Sequence, residues 1–253
     1  MTIAAALREA IASLPERMDR TDAEYLLAHV LERPRAWLYA HADDELAPVL
    51  LAEFRVLQAR RGAGEPVAYL TGRRGFWSLE LQVTPDTLIP RPETERLVEL
   101  ALAIASERPL SLVTAVDISP AALTVAAANG RHLHLGNVIF EHGDWFSSLG
   151  GRRFDVIVSN PPYIEDGDGH LGQGDLRFEP RSALAAGPDG LDDIRLIVRD
   201  SPRHLLPGGW LLIEHGWNQG ASVRELLDAA GFTEVTTEPD LEGRDRVSLG
   251  RMI

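Results

Sequence analysis

Apolar residues recur at helical spacing through the first sixty positions. Ile3, Leu7, Ile11 and Leu14 form one stripe, Tyr25, Leu26, Leu27 and Val30 a second, and Val49, Leu50, Phe54 and Leu57 a third. Recurrence at three and four residues marks amphipathic helices, and Thr21-Asp22-Ala23-Glu24 has the form of a capping box ahead of the second stripe. The spacing predicts a small all-α N-terminal domain over residues 1–65. Gly62 to Pro66 then breaks the helical pattern, and Phe76, Trp77, Leu79, Leu81 and Val83 largely alternate. That change of period predicts a β-hairpin linker over 66–86, turning near Gly72 to Gly75.

From Glu93 onward, helical stretches alternate with short apolar runs, as in a doubly wound α/β sheet. Helices are predicted at 93–106, 120–129, 191–206 and 222–230, and strands at 110–116, 137–141, 154–159 and 209–214. The end differs. Runs at 233–237 and 246–250 are joined by only Glu238 to Asp245, too short for a crossover, so these two strands must pair antiparallel. Residues 87–253 thus read as one α/β domain with antiparallel C-terminal strands.

Composition removes much chemistry. The chain has no cysteine, which excludes disulfides, thiolate metal sites and a cysteine nucleophile. It has no lysine either, which excludes a Schiff-base lysine and a P-loop. The 25 basic residues, all arginine, stand against 38 acidic ones for a net charge of −13. That balance argues against sequence-independent binding to nucleic acid. Residues 1–75 hold 10 Arg and 11 acids, so almost all the acidity lies in the larger part. Such a field would speed encounter with a basic macromolecule, and an ordinary solvated surface explains it equally well. No apolar run approaches roughly 18 residues and no leader is visible, so a cytoplasmic, unanchored monomer is expected.

The most informative string is Asn160-Pro161-Pro162-Tyr163, directly after the 154–159 strand. Ligands of open α/β sheets bind beyond the carboxyl ends of the strands. Two prolines remove two backbone donors, leaving carbonyl acceptors beside the side-chain oxygen of Asn160. A pocket of acceptors suits an NH2 group on a planar amide or an aromatic amine, with the Tyr163 ring against its face. A rigid turn with Asn160 capping the strand is the plainer alternative. Asp117, at the end of another apolar strand, suits the ribose hydroxyls of an adenosine group or serves only as a helix cap with Ser119 and Pro120. Trp145, in Gly143-Asp144-Trp145-Phe146, offers an aromatic face to a flat heterocycle or belongs to the core. Glu165, Asp166 and Asp168 lack an ordered ligand set, and His132 and His134 lack partners, so no metal site is expected.

In that order the strings resemble the HemK/PrmC family of S-adenosylmethionine-dependent methyltransferases, which modify the glutamine of peptide chain release factors at N5. The likeness runs through 66–72, Leu88-Ile89-Pro90-Arg91-Pro92-Glu93-Thr94-Glu95, Asn160 to Ile164, Gly174 to Pro180, Glu214-His215-Gly216-Trp217 and the closing 246–251. It implies a class I (Rossmann-like) methyltransferase sheet, S-adenosyl-L-methionine as cofactor, and release factors as partners docked by the helical domain. It also implies that Asp117, Trp145 and Asn160 bind the cofactor, and that Asn160, Pro161, Pro162 and Tyr163 bind the substrate amide. Of these, Asn160, Pro161 and Tyr163 would be the catalytic groups.

One departure stands out. Family members carry a first strand ending in a glycine-rich turn, and here only Ala101 to Pro109 separates Leu97-Val98-Glu99-Leu100 from the Asp117 strand. About twenty residues, a strand plus turn and half a helix, are missing relative to the family. Gly167, Gly169, Gly172 and Gly174 follow the Tyr163 loop like a lid, and Gly208-Gly209 precedes a strand, so neither set is placed to replace the turn. Two rival functions follow from the same residues: methylation of the amino group of adenine in nucleic acid, with Tyr163 stacking on a flipped base, and a non-catalytic release-factor binder whose sheet holds no cofactor.

Overall fold

The computed structural model describes residues 1–13, 20–106 and 111–253. Leu14 of the first stripe and the Leu110 end of the predicted 110–116 strand lie outside the described residues. The chain divides into two units, one of Met1–Arg73 with Gln173–Phe178, the other of Arg74–Gly172 with Glu179–Ile253.

The first unit is helical: α1 (Ile3–Ser13), α2 (Arg20–Val30), α3 (Arg35–Ala40), α4 (Pro48–Gly62) and α5 (Val67–Thr71). Ile3, Leu26, Leu27, Leu38, Phe54 and Leu70 meet in one core, where each large side chain contributes roughly 1.5–3 kcal/mol by leaving water. The predicted capping box is corrected here. Helix α2 already begins at Arg20, so Thr21 lies inside it, and Glu24 is buried rather than turned back to the helix start. Its carboxylate accepts from Arg20 Nε at 2.6 Å, Arg35 Nη2 at 2.6 Å and the Tyr39 hydroxyl at 2.8 Å. Burial opposes the charge, but those three donors outweigh it and hold the carboxyl down at about 2. Arg60 pairs with Glu65, while Arg61 joins Asp22 Oδ2 at 2.8 Å to Asp175 Oδ1 at 2.9 Å. Arg60 and Arg61 are therefore structural ties within this unit.

The hairpin fills only the middle of the predicted 66–86 and turns later than Gly72 to Gly75. Val67–Thr71 is helical because Pro66 leads into α5 with φ −59° and Gly72 closes it in the left-handed region at φ +69°. The hairpin itself is β1 (Arg73–Phe76) and β2 (Leu79–Gln82), turning at Trp77 and Ser78.

The second unit continues with α6 (Thr94–Ala105), β3 (Val113–Asp117), α7 (Pro120–His132), β4 (Val138–His142) and β5 (Phe154–Ser159). It closes with α8 (Asp192–Asp200), β6 (Leu205–Glu214), α9 (Gly220–Ala229), β7 (Phe232–Pro239) and β8 (Asp245–Met252). The order β5-β6-β8-β7 makes one sheet, with β5 parallel to β6 and the last two strands antiparallel, as the short joint requires. Side chains of β6 alternate between the two faces. Leu211 and Ile213 pack with Ile194 and Ile197 of α8 and Val223 and Leu227 of α9, while Leu212 packs with Leu97 of α6. Helices thus cover both faces of this sheet, as parallel pairing demands. Strands β3 and β4 pair in parallel with each other in a separate two-stranded sheet. Asn129 of α7 ties that layer to the hairpin, accepting from the Gln82 N–H at 2.8 Å and donating to the Gln82 carbonyl at 3.0 Å. No described helix is long and apolar enough to cross a membrane.

Candidate active site

Asn160 to Tyr163 leave the carboxyl end of β5 as a rigid loop, with Pro161 and Pro162 buried. The loop is pinned on both sides. Tyr163 and Ile164 donate their N–H groups to the Leu184 carbonyl at 3.2 and 2.9 Å, and Ala186 N–H returns to the Ile164 carbonyl at 2.9 Å. Gln219 donates through Nε2 to the Tyr163 carbonyl at 3.0 Å and the Asp189 carbonyl at 3.2 Å, while its Oε1 accepts from Gly216 N–H at 2.8 Å. Gly190 sits at φ +70°, and a Cβ there would lie 2.2 Å from the Tyr163 oxygen, so only glycine lets the two loops meet.

Side-chain polarity within the loop is set by two residues that sequence reasoning did not single out. Asn160 Nδ2 donates to Thr94 Oγ1 at 3.1 Å. That bond uses one of the amide's two N–H donors on the protein and fixes which end of the amide is Nδ2, leaving Oδ1 as the acceptor the side chain can offer to a ligand. The Tyr163 hydroxyl donates to Glu214 Oε1 at 3.2 Å, and the nearby Thr94 hydroxyl favours the charged form of the same carboxyl. Glu214 is fully buried at the end of β6, and its Oε2 has no hydrogen-bond partner. Burial pushes this carboxyl above its ordinary range, against the lowering effects of Thr94, Arg246 and Tyr163. Burial, then the charge of Glu214, pushes the Tyr163 phenol up to about 12, so it remains a donor at any ordinary pH. The sequence signal for Glu214 was an acid closing the apolar run 210–213. Thr94 carried none beyond its place in the Pro90 to Glu95 string. Two distant strings also meet here: the buried carboxylate of Glu179 accepts from Ile89 N–H at 2.9 Å and from Arg91.

Asp117 ends β3 with an exposed carboxylate whose Oδ1 accepts from Ser119 N–H at 2.8 Å, and Ser119 caps α7 by accepting from Ala122 N–H at 3.2 Å. The Asp117 carbonyl accepts from Gly143 N–H at 3.1 Å, joining the loops after β3 and β4. Trp145, in the second of those loops, takes φ +48°, and its indole partly offsets the burial that raises the Asp193 carboxyl. Part of the indole packs against the α8 and α9 core.

Asp117 and Asn160 stand on different sheets. Between β3 and β5 runs a cleft of about 160 Å³, lined by Thr114 and Val116 on one side and Phe154, Val156 and Val158 on the other. All its lining residues except Thr114 and Ser159 are apolar, and none is glycine.

The chain is similar to known proteins over nearly its whole length. Residues 5–72 match the PrmC N-terminal domain and residues 99–174 the Methyltransferase small domain. The release factor glutamine methyltransferase of Xylella fastidiosa (strain Temecula1 / ATCC 700964) is 51% identical, with 95% of this chain and 96% of the relative covered. The protein so named from Aliivibrio fischeri (strain ATCC 700601 / ES114) is 43% identical over 279 positions, covering 100% of this chain and 98% of the relative. Set against a chain of 253, those 279 positions leave about 26 at which the relative has a residue and this chain has none. A crystal structure of a methyltransferase from Pyrococcus furiosus, 18% identical, covers 77% of this chain and 96% of its own at a TM-score of 0.50, which bears on the fold alone. The chain belongs to the family of release factor glutamine methyltransferases.

Proposed function

We propose that this chain binds the Gly-Gly-Gln segment of a peptide chain release factor and presents the glutamine side-chain amide for methylation at N5, with S-adenosylmethionine as the methyl donor. One observation carries the reading: Asn160 turns Nδ2 to Thr94, which leaves Oδ1 as an acceptor beside two prolines that have no N–H to donate. An amide nitrogen is a poor nucleophile because its lone pair is delocalised into the carbonyl. Two acceptors, Asn160 Oδ1 and the Pro161 carbonyl, can hold both of its N–H bonds and favour the positive charge that builds on nitrogen as it reacts. Tyr163 lies alongside with its hydroxyl fixed by Glu214, leaving its ring to lie against the amide plane. No ionised base is required.

The donor supplies an electrophilic methyl group when bound, and the residues present fit only part of it. Asp117 offers an exposed carboxylate suited to ribose hydroxyls, with Trp145 in the adjoining loop. The cleft between β3 and β5 does not suit the charged methionine portion, since no charged side chain and no glycine turn lines it. No catalytic step is therefore assigned to that part of the site.

The test is transfer of labelled methyl to an unmodified release factor, by this chain and by a version carrying the residues that the Aliivibrio fischeri relative has and this chain lacks. The expected result is a methyl on the glutamine, mapped by peptide mass spectrometry, from the restored chain. A methyl on an adenine-containing oligonucleotide instead would assign the nucleic-acid reading. No transfer to either, with release factor still bound, would make the chain a binder.

A further inference from the structure

We propose that Trp217 touches the substrate and sets its specificity for glycine: the indole lies against the backbone of the two glycines that precede the target glutamine. This deepens the proposed function and rests on it, since the glycines belong to the same Gly-Gly-Gln segment.

Trp217 stands beside the acceptor loop. Strands β5 and β6 are parallel neighbours with Ser159 opposite Ile213, so Asn160 and Glu214 leave the sheet side by side, about 5 Å apart. Just beyond Glu214 a tight turn runs from Gly216 to Gln219. It is closed by the Gln219 N–H on the Gly216 carbonyl at 2.9 Å and by the Gly216 N–H on Gln219 Oε1 at 2.8 Å. The same Gln219 side chain donates to the Tyr163 carbonyl at 3.0 Å, which ties the turn carrying Trp217 to the loop that offers the acceptors.

The ring is left outside. Trp217 is 65% exposed, although His215 before it is fully enclosed and Gln219 after it is 8% exposed. A Cβ on Gly216 would lie 3.0 Å from Gln219 Oε1 and 3.3 Å from Asn218 Oδ1, so the other two side chains of the turn lie toward Gly216 while the indole does not close on the protein. Trp217 belongs to neither of the cores built on β6, and among the described residues it stacks on no ring and no guanidinium. Central turn positions ordinarily go to Gly, Pro, Asn, Asp or Ser. Tryptophan adds nothing to the turn itself, and it is the side chain with most to gain from a partner.

The indole defines the chemistry of what it meets. It offers a broad, flat apolar face and a single N–H donor. A bare stretch of main chain suits such a face, because glycine lets another group approach the backbone with no Cβ between them. The Gly-Gly-Gln segment supplies that stretch directly before the amide that Asn160 Oδ1 and the Pro161 carbonyl would hold. Glycines laid on Trp217 fix the stem of the glutamine while the acceptors fix its end, and orientation is what a poor nucleophile most needs. Alanine in place of a glycine would lift the backbone off the ring.

The probe is an unmodified release factor, fluorescein-labelled away from its Gly-Gly-Gln segment and titrated into the full chain and two variants. Trp217→Ala should weaken binding roughly tenfold with an unchanged thermal melt, the indole being exposed, while Trp217→Phe keeps most of the affinity. A second release factor, with alanine for the glycine next to the glutamine, separates a specific contact from general apolar adhesion. The parent should bind it roughly tenfold more weakly than the first, and Trp217→Ala by less than about threefold, since the two changes remove one contact. Equal affinity of the parent and Trp217→Ala for the first release factor, or equal losses from the alanine in both, overturns the proposal. A parent that binds no release factor overturns the functional reading and this inference with it, whereas binding without the coupling sinks this inference alone.

Discussion

Asn160 reaches across from the end of β5 to the first residue of α6, donating Nδ2 to the Thr94 hydroxyl oxygen at 3.1 Å. The bond fixes which end of the amide a substrate meets. Thr94→Val should free the Asn160 side chain to flip, lowering methyl transfer about tenfold in the restored chain by loss of one neutral hydrogen bond. Asn160→Ala removes the acceptor itself and should lower turnover by roughly 10²- to 10³-fold. Single-turnover rates at saturating donor measure both. Equal rates for Asn160→Ala and the parent would end the acceptor-pocket reading.

Glu214 gives a pH signature. Its carboxyl is raised by burial, so the folded state holds the proton more tightly than the unfolded chain, whose value lies near 4.5. The associated stability is fully present below that value and is lost as pH rises through the folded one. Glu214→Gln imitates the protonated form and should stay within about 1 kcal/mol of the parent at low pH. Its relative stability should then climb as pH increases. Urea melts of both proteins across the range from pH 4 to 8 test this, and a flat difference would contradict it.

Glu24 has the opposite sign. Its carboxyl is held at about 2, burial notwithstanding, by Arg35, Arg20 and Tyr39. Its contribution is present above about 4.5 and lost as pH falls towards 2. Glu24→Gln should destabilise the helical unit by about 2–3 kcal/mol near neutrality, less than a fully enclosed pair because Arg20 is exposed. The deficit should vanish on acidification, which helical circular dichroism would follow.

Gly190 should tolerate nothing larger. Alanine there would combine φ +70° with a Cβ 2.2 Å from the Tyr163 oxygen. A loss of at least about 2 kcal/mol is expected, with exchange of the Leu184 to Ala186 amides accelerating. Unchanged stability would mean that the loop has an alternative path.

Much of this was legible from residue order, and the gaps have physical causes. Strand β5 was read at 154–159 and is Phe154–Ser159, because an unbroken apolar run between turn residues has few alternatives. The antiparallel end followed from a joint too short for a crossover. The helix read at 191–206 stops at Asp200 and gives way to a 3-10 turn at Ser201–His204, where Pro202 cannot continue an α-helix. The alternation read through Val67 missed α5, whose ends are set by Pro66 and Gly72 rather than by hydrophobic period. In the site, Asn160 to Tyr163 stood out as a string, but Thr94, Gly190 and Glu214 are placed by contacts 66, 27 and 51 positions away from Asn160 or Tyr163, and local pattern carries no trace of such pairings.

The segment Gln173–Phe178 belongs to the helical unit although more than a hundred residues separate it from Arg61, its ion-pair partner through Asp175. Arg177 also donates to the Ala63 carbonyl, and its guanidinium occupies the space that a side chain on Gly64 would need. The backbone therefore passes between the units three times, after Arg73, Gly172 and Phe178. A protease that nicks the chain once, at Arg73, would leave the helical unit stitched in place by this second pass. A gene fragment ending at the same residue would encode an unfinished domain, with Arg61 deprived of the Asp175 carboxylate that the far half of the polypeptide brings.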